Sequence, residues 1–185
     1  MKKSLRTLGA LAALALLATG CKDDLKDAVQ VKVAMQQSDI IFDIPPVPAP
    51  NTELTVNGAP VRYNVDSLIK ANNSQFSFVN VKAISVKGCQ VEILNQGADY
   101  HWGHLQDAIA RMASNADANP IAIANVVNNP ATAVRMLDLN PTNTDLSNHL
   151  NADSFFYSFQ LKNRSATTDT FHCRATIQYE LTLGL

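Results

Sequence analysis

The sequence predicts an all-β protein, an antiparallel β-sandwich that is Ig-like or jelly-roll-like and carries one or two short peripheral helical turns. Three observations lead to this fold class. In residues 170–183 apolar and polar residues alternate strictly, which is typical of a strand with one buried face. Residues 155–161 repeat that alternation. Short apolar runs elsewhere are separated by turn-forming Asn, Pro and Gly.

The two alternating runs near the C-terminus are each predicted to form a strand. The run 170–183 has 14 residues, which exceeds the usual strand length, so we expect a bend or a bulge there. Residues 163–169 are rich in Thr and Ser and are predicted to join the two strands as an antiparallel hairpin with a long loop.

Shorter strands are predicted upstream, and two of their connections are informative. Asn57-Gly58-Ala59-Pro60 lies between apolar runs and predicts a hairpin turn. Apolar residues occupy even positions before Lys87-Gly88 (84 and 86) and odd positions after it (89, 91 and 93), which predicts a bulge there. The shorter predicted strands are 29–33, 40–44, 54–56, 61–65, 81–86, 89–93, 119–123 and 133–137, with a proline-rich extended segment at 45–50.

Residues 104–113 leave two alternatives open, because their apolar residues fit one helical face but also fit a strand that follows a short turn at 102–107. Two further helical turns are predicted at 67–71 and 146–150. Asp66 and Asp145 precede them, and aspartate is a favourable N-cap.

The first twenty residues have the layout of a secretory signal peptide. Lys2, Lys3 and Arg6 precede an uncharged apolar stretch at 8–18, which is shorter than the roughly 20 residues of a spanning helix. Ala18-Thr19-Gly20-Cys21 resembles a bacterial lipobox, which implies that Cys21 is lipidated and becomes the new N-terminus. A structural cysteine after an ordinary signal is the alternative. The predicted organisation is a signal at 1–20, a charged tether at 21–28 and one domain at 29–185.

The residues that follow Cys21 bear on location. Lys22-Asp23-Asp24 resembles the export signal of Bacteroidota lipoproteins, which implies an outer-membrane protein at the cell surface. The alternatives are a charged linker and a domain that faces the periplasm. Without the signal, 12 Lys and Arg oppose 16 Asp and Glu, a net charge of −4. This balance argues against nucleic acid as a partner and against electrostatic adhesion to an anionic membrane. The predicted contact with the membrane is the N-terminal lipid.

Cys89 and Cys173 both lie on the inward parity of predicted strands. In an exported protein they are candidates for a disulfide. Two buried free thiols fit the sequence equally well, because free cysteine packs as a small hydrophobe. Both alternatives stay open.

The segment His101-Trp102-Gly103-His104 holds the main candidate chemistry. Two histidines three residues apart supply at most two ligands, so no metal site is predicted. Trp102 is expected either to anchor the turn in the core or to stack on a sugar as a ligand contact. His149 and His172 lie on the polar parity of the sequence, so both are expected to face solvent.

No catalytic motif stands out. The sequence has no Gly-x-Ser-x-Gly elbow, Gly-rich phosphate loop or paired-cysteine knuckle, so neither an enzyme nor a cofactor is predicted. Asp66-Ser67-Leu68 resembles an O-glycosylation sequon of exported Bacteroidota proteins, which makes Ser67 a candidate site.

From about Val81 to Leu183 the order of features resembles a Bacteroidota surface-lipoprotein family of unknown function. The resemblance is carried by the strands at 81–86 and 89–93, the aromatic-led turn at 102–105 and the polar opening of the last hairpin at 150–155. It implies a sandwich on the cell surface and no particular ligand. The expected function is a non-enzymatic adhesion, structural or interaction module. The alternatives are a carbohydrate-binding accessory protein and a small hydrolase with a non-local site.

Overall fold

A computed structural model of the chain describes residues 30–62, 64–72 and 74–184. The predicted signal peptide, the candidate lipidation site Cys21 and the candidate export signal Lys22-Asp23-Asp24 lie outside the described residues. The domain can therefore be followed from Gln30 onward.

Most of the described chain is β-strand, which confirms the predicted fold class. The strands are β1 (Gln30–Ile44), β2 (Glu53–Asn57), β3 (Val61–Arg62), β4 (Val81–Ile93), β5 (Leu105–Ser114), β6 (Ile121–Val126), β7 (Met136–Pro141), β8 (Ser154–Asn163) and β9 (Phe171–Gly184). The helices are α1 (Val65–Asn72) and α2 (Ser147–Leu150), and two 3₁₀ turns span Phe78–Asn80 and Trp102–His104.

The strands form two antiparallel layers that share one strand. The first layer has the order β1-β9-β4-β7, and the second continues as β7-β6-β5-β8-β2. Residues 136–139 of β7 pair with β4, whereas Asn140 and Pro141 pair with β6. β7 therefore passes from one layer to the other, and β3 extends the far edge by pairing with β8 beyond β2.

The core lies between the two layers and follows the alternation seen in the sequence. The Phe42 ring of the first layer stacks on the Phe159 ring of the second, with centroids 4.1 Å apart. The Tyr157 and Tyr179 hydroxyls, also from opposite layers, are 2.9 Å apart and both side chains are buried. Each fully buried large apolar side chain stabilises the fold by about 1.5–3 kcal/mol. Inward residues of β8 therefore meet those of β1 and β9 across the core.

The predicted hairpin between the last two strands is wrong. β8 pairs with β5, β2 and β3, whereas β9 pairs with β1 and β4, so the two strands face each other across the core. Residues 164–170 cross the end of the sandwich, where the backbones of Val47 and Thr167 exchange hydrogen bonds of 3.2 and 2.8 Å. Alternation predicts which face of a strand is buried, but not which strand lies beside it.

The predicted hairpin turn at residues 57–60 is also wrong. β2 and β3 do not pair with each other, because both pair with successive parts of β8. Between them the Gly58 N–H donates to the Tyr157 carbonyl at 2.9 Å and the Ala59 N–H to the Ile41 carbonyl at 3.1 Å. These bonds keep the segment extended along its neighbours, so the chain continues in one direction.

The predicted bulge at Lys87-Gly88 is confirmed, because the register of β4 against β9 shifts between Val86 and Gly88. The two predicted strands on either side are therefore one strand. β1 likewise runs through both upstream predictions, with a register shift between Gln37 and Ile40. The predicted strand at 133–137 begins only at Met136.

Residues 105–114 form the strand β5, which settles the choice between helix and strand there. Both helical turns are present, but Asp66 does not cap the first of them. The Asn64 carboxamide oxygen accepts the Ser67 N–H at 2.9 Å, and the Asp66 carboxylate accepts the Phe78 N–H at 2.7 Å. Asp145 accepts the N–H groups of Ser147 and Ile84 at 3.1 and 3.0 Å.

Gly58→Ala is expected to lower the free energy of unfolding by about 1–3 kcal/mol, as for other overpacked cores. A Cβ at this position would lie 2.7 Å from Cγ2 of Ile40, a fully buried and β-branched side chain that cannot move aside. Urea unfolding measures the difference.

The matched control is Gly88→Ala. A Cβ there meets the Gln178 side chain, whose nearest atom is 3.1 Å away and which is exposed and free to move. This variant is expected to lose less than about 1 kcal/mol. Equal losses in the two variants would contradict the packing argument.

Candidate functional site

The two ends of the sandwich carry different features. At one end, here called the tether end, the start of β1 and the end of β9 lie side by side, with Gln30 opposite Gly184. At the other end, here called the distal end, Ile44 lies opposite Phe171. Four connections meet at the distal end: residues 45–52, 94–104, 127–135 and 164–170.

Trp102 anchors the distal end from inside. Its side chain is only 3% exposed, and the indole N–H lies 3.1 Å from the Val91 carbonyl oxygen and 3.0 Å from that of Arg135. The indole therefore ties β4 to the connection that precedes β7. The expectation that Trp102 contacts a sugar is wrong, because the ring is buried, and the core-anchor alternative is the one observed.

A polar network around Trp102 holds three of the distal connections together. The Asn129 side chain is 3% exposed and donates to the carbonyls of Trp102 and Leu105 at 2.8 and 3.2 Å. The Arg164 guanidinium donates to the Gly103 carbonyl at 3.1 Å and to the Asn129 carbonyl. Sequence reasoning missed both Asn129 and Arg164, since neither lies in a motif and their carbonyl partners have no sequence signature.

His101 and His104 stack on each other, with ring centroids 4.3 Å apart. His104 Nε2 lies 3.2 Å from the Asp99 carbonyl, which only accepts, so the neutral ring carries its proton on Nε2. Its Nδ1 then accepts from the Ser165 hydroxyl at 2.7 Å. Burial, followed by the neighbouring His101, lowers the pKa of His104, so the neutral ring is favoured.

His104, one member of this pair, lines a small cleft, here called the distal cleft. It has a volume of about 150 Å³ and is lined by carboxylate, hydroxyl and aromatic side chains. The lining includes Asp99, Tyr100, His104, Thr167, Asp169 and Phe171. The Tyr100 and Phe171 rings meet edge to face at 5.4 Å. Clefts that hold drug-sized ligands have volumes of roughly 300–1,000 Å³, so this cleft is too small for one. Its size and polar groups suit one sugar ring or one polar side chain.

The described residues contain no group of three His, Cys, Asp or Glu side chains placed to hold a metal ion. A larger cleft of about 400 Å³ lies at the tether end, where Asn and Asp side chains surround Phe78. Most of these polar groups bond within the protein. For example, the Asn115 amide donates to the Asp153 carboxylate at 2.8 Å.

Cys89 and Cys173 are both free and buried. They lie on the paired strands β4 and β9, but Cys89 is opposite Ile177 and Cys173 is opposite Ile93. Four residues of strand separate each thiol from the position opposite the other, about 13 Å between Cα atoms. A disulfide requires a Cα separation of at most about 7 Å. Of the two alternatives, the structure has the free thiols.

The expectation that His149 faces solvent is wrong, because the residue is 4% exposed. It lies on α2, where strand parity does not apply, and its Nε2 is 3.8 Å from an Asp117 carboxylate oxygen. His172 is exposed as expected, and its Nδ1 lies 2.7 Å from the Asp43 carboxylate. Ser67 is exposed on α1, so its glycosylation stays a prediction.

None of the helices in the described ranges is long and apolar enough to cross a membrane. No protein-family model matches the chain. No curated protein matches it either.

Among solved structures, the chain is similar to parts of virus structures. For a chain in the structure of the infectious bursal disease virus Gx strain, identity is 12%, the TM-score is 0.41, and coverage is 85% of this chain and 33% of that chain. For the Desmodium yellow mottle tymovirus structure, identity is 11%, the TM-score is 0.26, and coverage is 85% and 89%. This chain thus spans about a third of the length of the first of these. With TM-scores below 0.5, neither likeness carries an argument about function.

Proposed function

We propose that this protein is a lipid-anchored, cell-surface module of the outer membrane that acts without catalysis, in adhesion, structure or interaction. Cys21, in its lipobox-like context, would carry the lipid, and the acidic residues Asp23 and Asp24 would direct export. Two or three acyl chains anchor a protein stably, whereas one chain holds it only marginally.

The observation that carries this proposal is the separation of the two ends. The chain enters the domain at Gln30, beside Gly184, and the distal loops lie at the opposite ends of the same strands. A domain held at Gln30 would present those loops away from the membrane. Binding residues concentrate in loops that a rigid scaffold positions, and Trp102 and Asn129 supply that rigidity here.

The first test of this proposal is Cys21→Ser. The wild-type protein is expected in the membrane fraction, and the variant is expected in the soluble fraction after the cells are opened. Loss of the thiol removes the sulfur that would carry the diacylglycerol. A variant that has lost its signal peptide and still stays with the membranes would overturn the anchor.

Protease treatment of intact cells then tests the location. The wild-type domain is expected to be clipped while a periplasmic marker survives. The matched variant, Asp23→Asn with Asp24→Asn, is expected to stay anchored but become protected. Protection of the wild-type protein until lysis would overturn the surface location and leave the periplasm-facing alternative.

A second candidate function, carbohydrate binding, is supported by the distal cleft, where the partly exposed Tyr100 ring lies near Asp99 and Asp169. Aromatic faces beside carboxylates and hydroxyls suit a sugar ring. Titration of the purified domain with soluble glycans separates this candidate from a protein-binding module. Chemical shift changes confined to the distal loops would support it.

A further inference from the structure

Val79 is the most exposed large apolar side chain in the part of the chain that the structure describes. It is 90% exposed, against 67% for Val127, the next most exposed. It occupies the middle of the 3₁₀ turn Phe78–Asn80. Scattered apolar side chains on a surface are ordinary, so its exposure gains meaning only from the way it is held and from its position.

The turn that carries Val79 is fixed on both sides. Before it, the Ser77 N–H donates to the Asn80 side-chain oxygen at 3.0 Å, and the Phe78 N–H donates to the Asp66 carboxylate at 2.7 Å. After it, the Asn80 side-chain amide donates to the Gly184 carbonyl at 3.3 Å. These bonds tie the turn to α1 and to the end of β9, so Val79 projects from a supported position.

The same bonds place Val79 at the tether end. Val81, two residues later, lies opposite Leu183, and Leu183 lies opposite Val31 near the start of β1. Nine residues, 21–29, separate Cys21 from Gln30 and include Cys21 itself. A chain of that length spans at most about 30 Å when fully extended. A lipid on Cys21 would therefore keep the tether end close to the bilayer.

The neighbours of Val79 suit a lipid surface. Leu68, on α1, is 39% exposed and adds a second apolar side chain at this end. Lys82 is exposed and lies along Gly184, whereas the exposed Lys70 forms an ion pair of 2.5 Å with Asp66. Lysine stems pack on apolar surface while their ammonium groups reach the phosphates of lipid headgroups. An apolar side chain beside the Lys82 ammonium matches the boundary between acyl chains and phosphates.

We propose that Val79 inserts into the lipid interface and fixes the orientation of the tethered domain, supported by Leu68 and Lys82. This proposal rests on lipid anchoring at Cys21. It goes beyond anchoring, because side chains of the folded domain, and not only the lipid on Cys21, would contact the bilayer. The partner is the lipid surface itself.

The test uses single-cysteine labels on the full lipidated protein. Val79→Cys and, as the matched control at the distal end, Val127→Cys each receive an environment-sensitive fluorophore. Cys89 and Cys173 stay unlabelled because both are buried. The proteins are reconstituted into vesicles of phosphatidylethanolamine and phosphatidylglycerol, with or without nitroxide-labelled acyl chains, and flotation confirms attachment of each sample.

For the label at position 79 we expect a blue-shifted emission, strong quenching by the nitroxide lipids and protection from aqueous iodide. The label at position 127 is expected to show the opposite pattern. Equal iodide quenching at both positions, in protein that floats with the vesicles, would overturn the insertion of Val79 while leaving the anchor intact. Failure to float would overturn the lipid anchor, and the insertion of Val79 with it.

Discussion

Trp102→Ala is expected to lower the free energy of unfolding by about 3–5 kcal/mol, the range for truncation of a buried large aromatic. The ring is almost completely buried, and its N–H lies within hydrogen-bonding distance of two carbonyls, those of Val91 and Arg135. The substitution leaves a cavity and removes the donor shared by these carbonyls. Urea unfolding followed by circular dichroism measures the loss.

Trp102→Phe separates the two contributions. Phenylalanine keeps most of the apolar volume but has no N–H, so the carbonyls of Val91 and Arg135 lose their indole donor. The Arg135 carbonyl still accepts the Ile93 N–H at 2.9 Å, so the missing indole bond costs about 0.5–1.5 kcal/mol, the net value of one hydrogen bond. We expect the free energy of unfolding of this variant to lie between those of the wild type and Trp102→Ala. We also expect greater mobility of residues 127–135.

The matched surface control is Phe156→Ala, because Phe156 is 45% exposed on β8. This variant is expected to lose less than about 1 kcal/mol. If Trp102→Ala lost no more than Phe156→Ala, Trp102 would not be the anchor of the distal end.

The second large effect is the inertness of the two buried thiols. Burial raises the pKa of Cys89 to about 12 and that of Cys173 to about 12, with smaller contributions from Asp138 and Asp43 respectively. Only the thiolate attacks a disulfide reagent. At pH 8 its population in the native protein is about a thousandfold below that of an ordinary cysteine.

We expect almost no reaction of the native protein with Ellman's reagent and reaction of both thiols after unfolding in urea. The reagent also cannot reach the buried sulfurs, which slows the reaction further. Fast labelling of Cys89 or Cys173 in native protein would contradict the burial of these thiols. A mass decrease of two on mild oxidation would contradict the β4–β9 register.

The same raised pKa values predict a loss of stability in alkali. Both thiols ionise in the unfolded chain near pH 9 but stay protonated in the folded chain up to about pH 12. Their contribution is therefore complete below pH 9 and falls as the pH rises from 9 to 12, by up to about 4 kcal/mol per thiol.

The double variant Cys89→Ala with Cys173→Ala lacks this dependence. It is expected to be less stable than wild type at pH 7, because two buried side chains are truncated, but to lose less stability between pH 8 and pH 11. Parallel pH profiles for the two proteins would contradict the prediction.

The sequence predicted burial better than it predicted pairing. Strict alternation in β8 and β9 marked the correct inward residues, because side chains alternate between the two faces of any strand. It could not show that these strands lie in opposite layers. The layer in which a strand lies depends on contacts between residues that are far apart in the sequence, such as the Phe42–Phe159 stack. The residue pattern within one strand carries no information about such contacts.

Of the distal-end site, the sequence predicted the segment 101–104 but not the residues that hold it in place. The pattern from His101 to His104 marked an unusual turn, and the core-anchor alternative for Trp102 is the one observed. The roles of Asn129 and Arg164 depend on backbone carbonyls, which every residue carries, so no residue pattern announces them. His149 was misplaced because strand parity was applied to a residue on a helical turn.

The position of Gln30 beside Gly184 also determines how the domain bears load. A partner that pulls on the distal loops of a domain held at Gln30 applies force along the strands rather than across them. β1 is joined to β9 from Gln30 to Ile44, so many ladder bonds must fail together before it slides. Peeling from the edge would break those bonds one by one. The architecture therefore resists extension along its own axis, which suits a domain whose attachment and contacts lie at opposite ends.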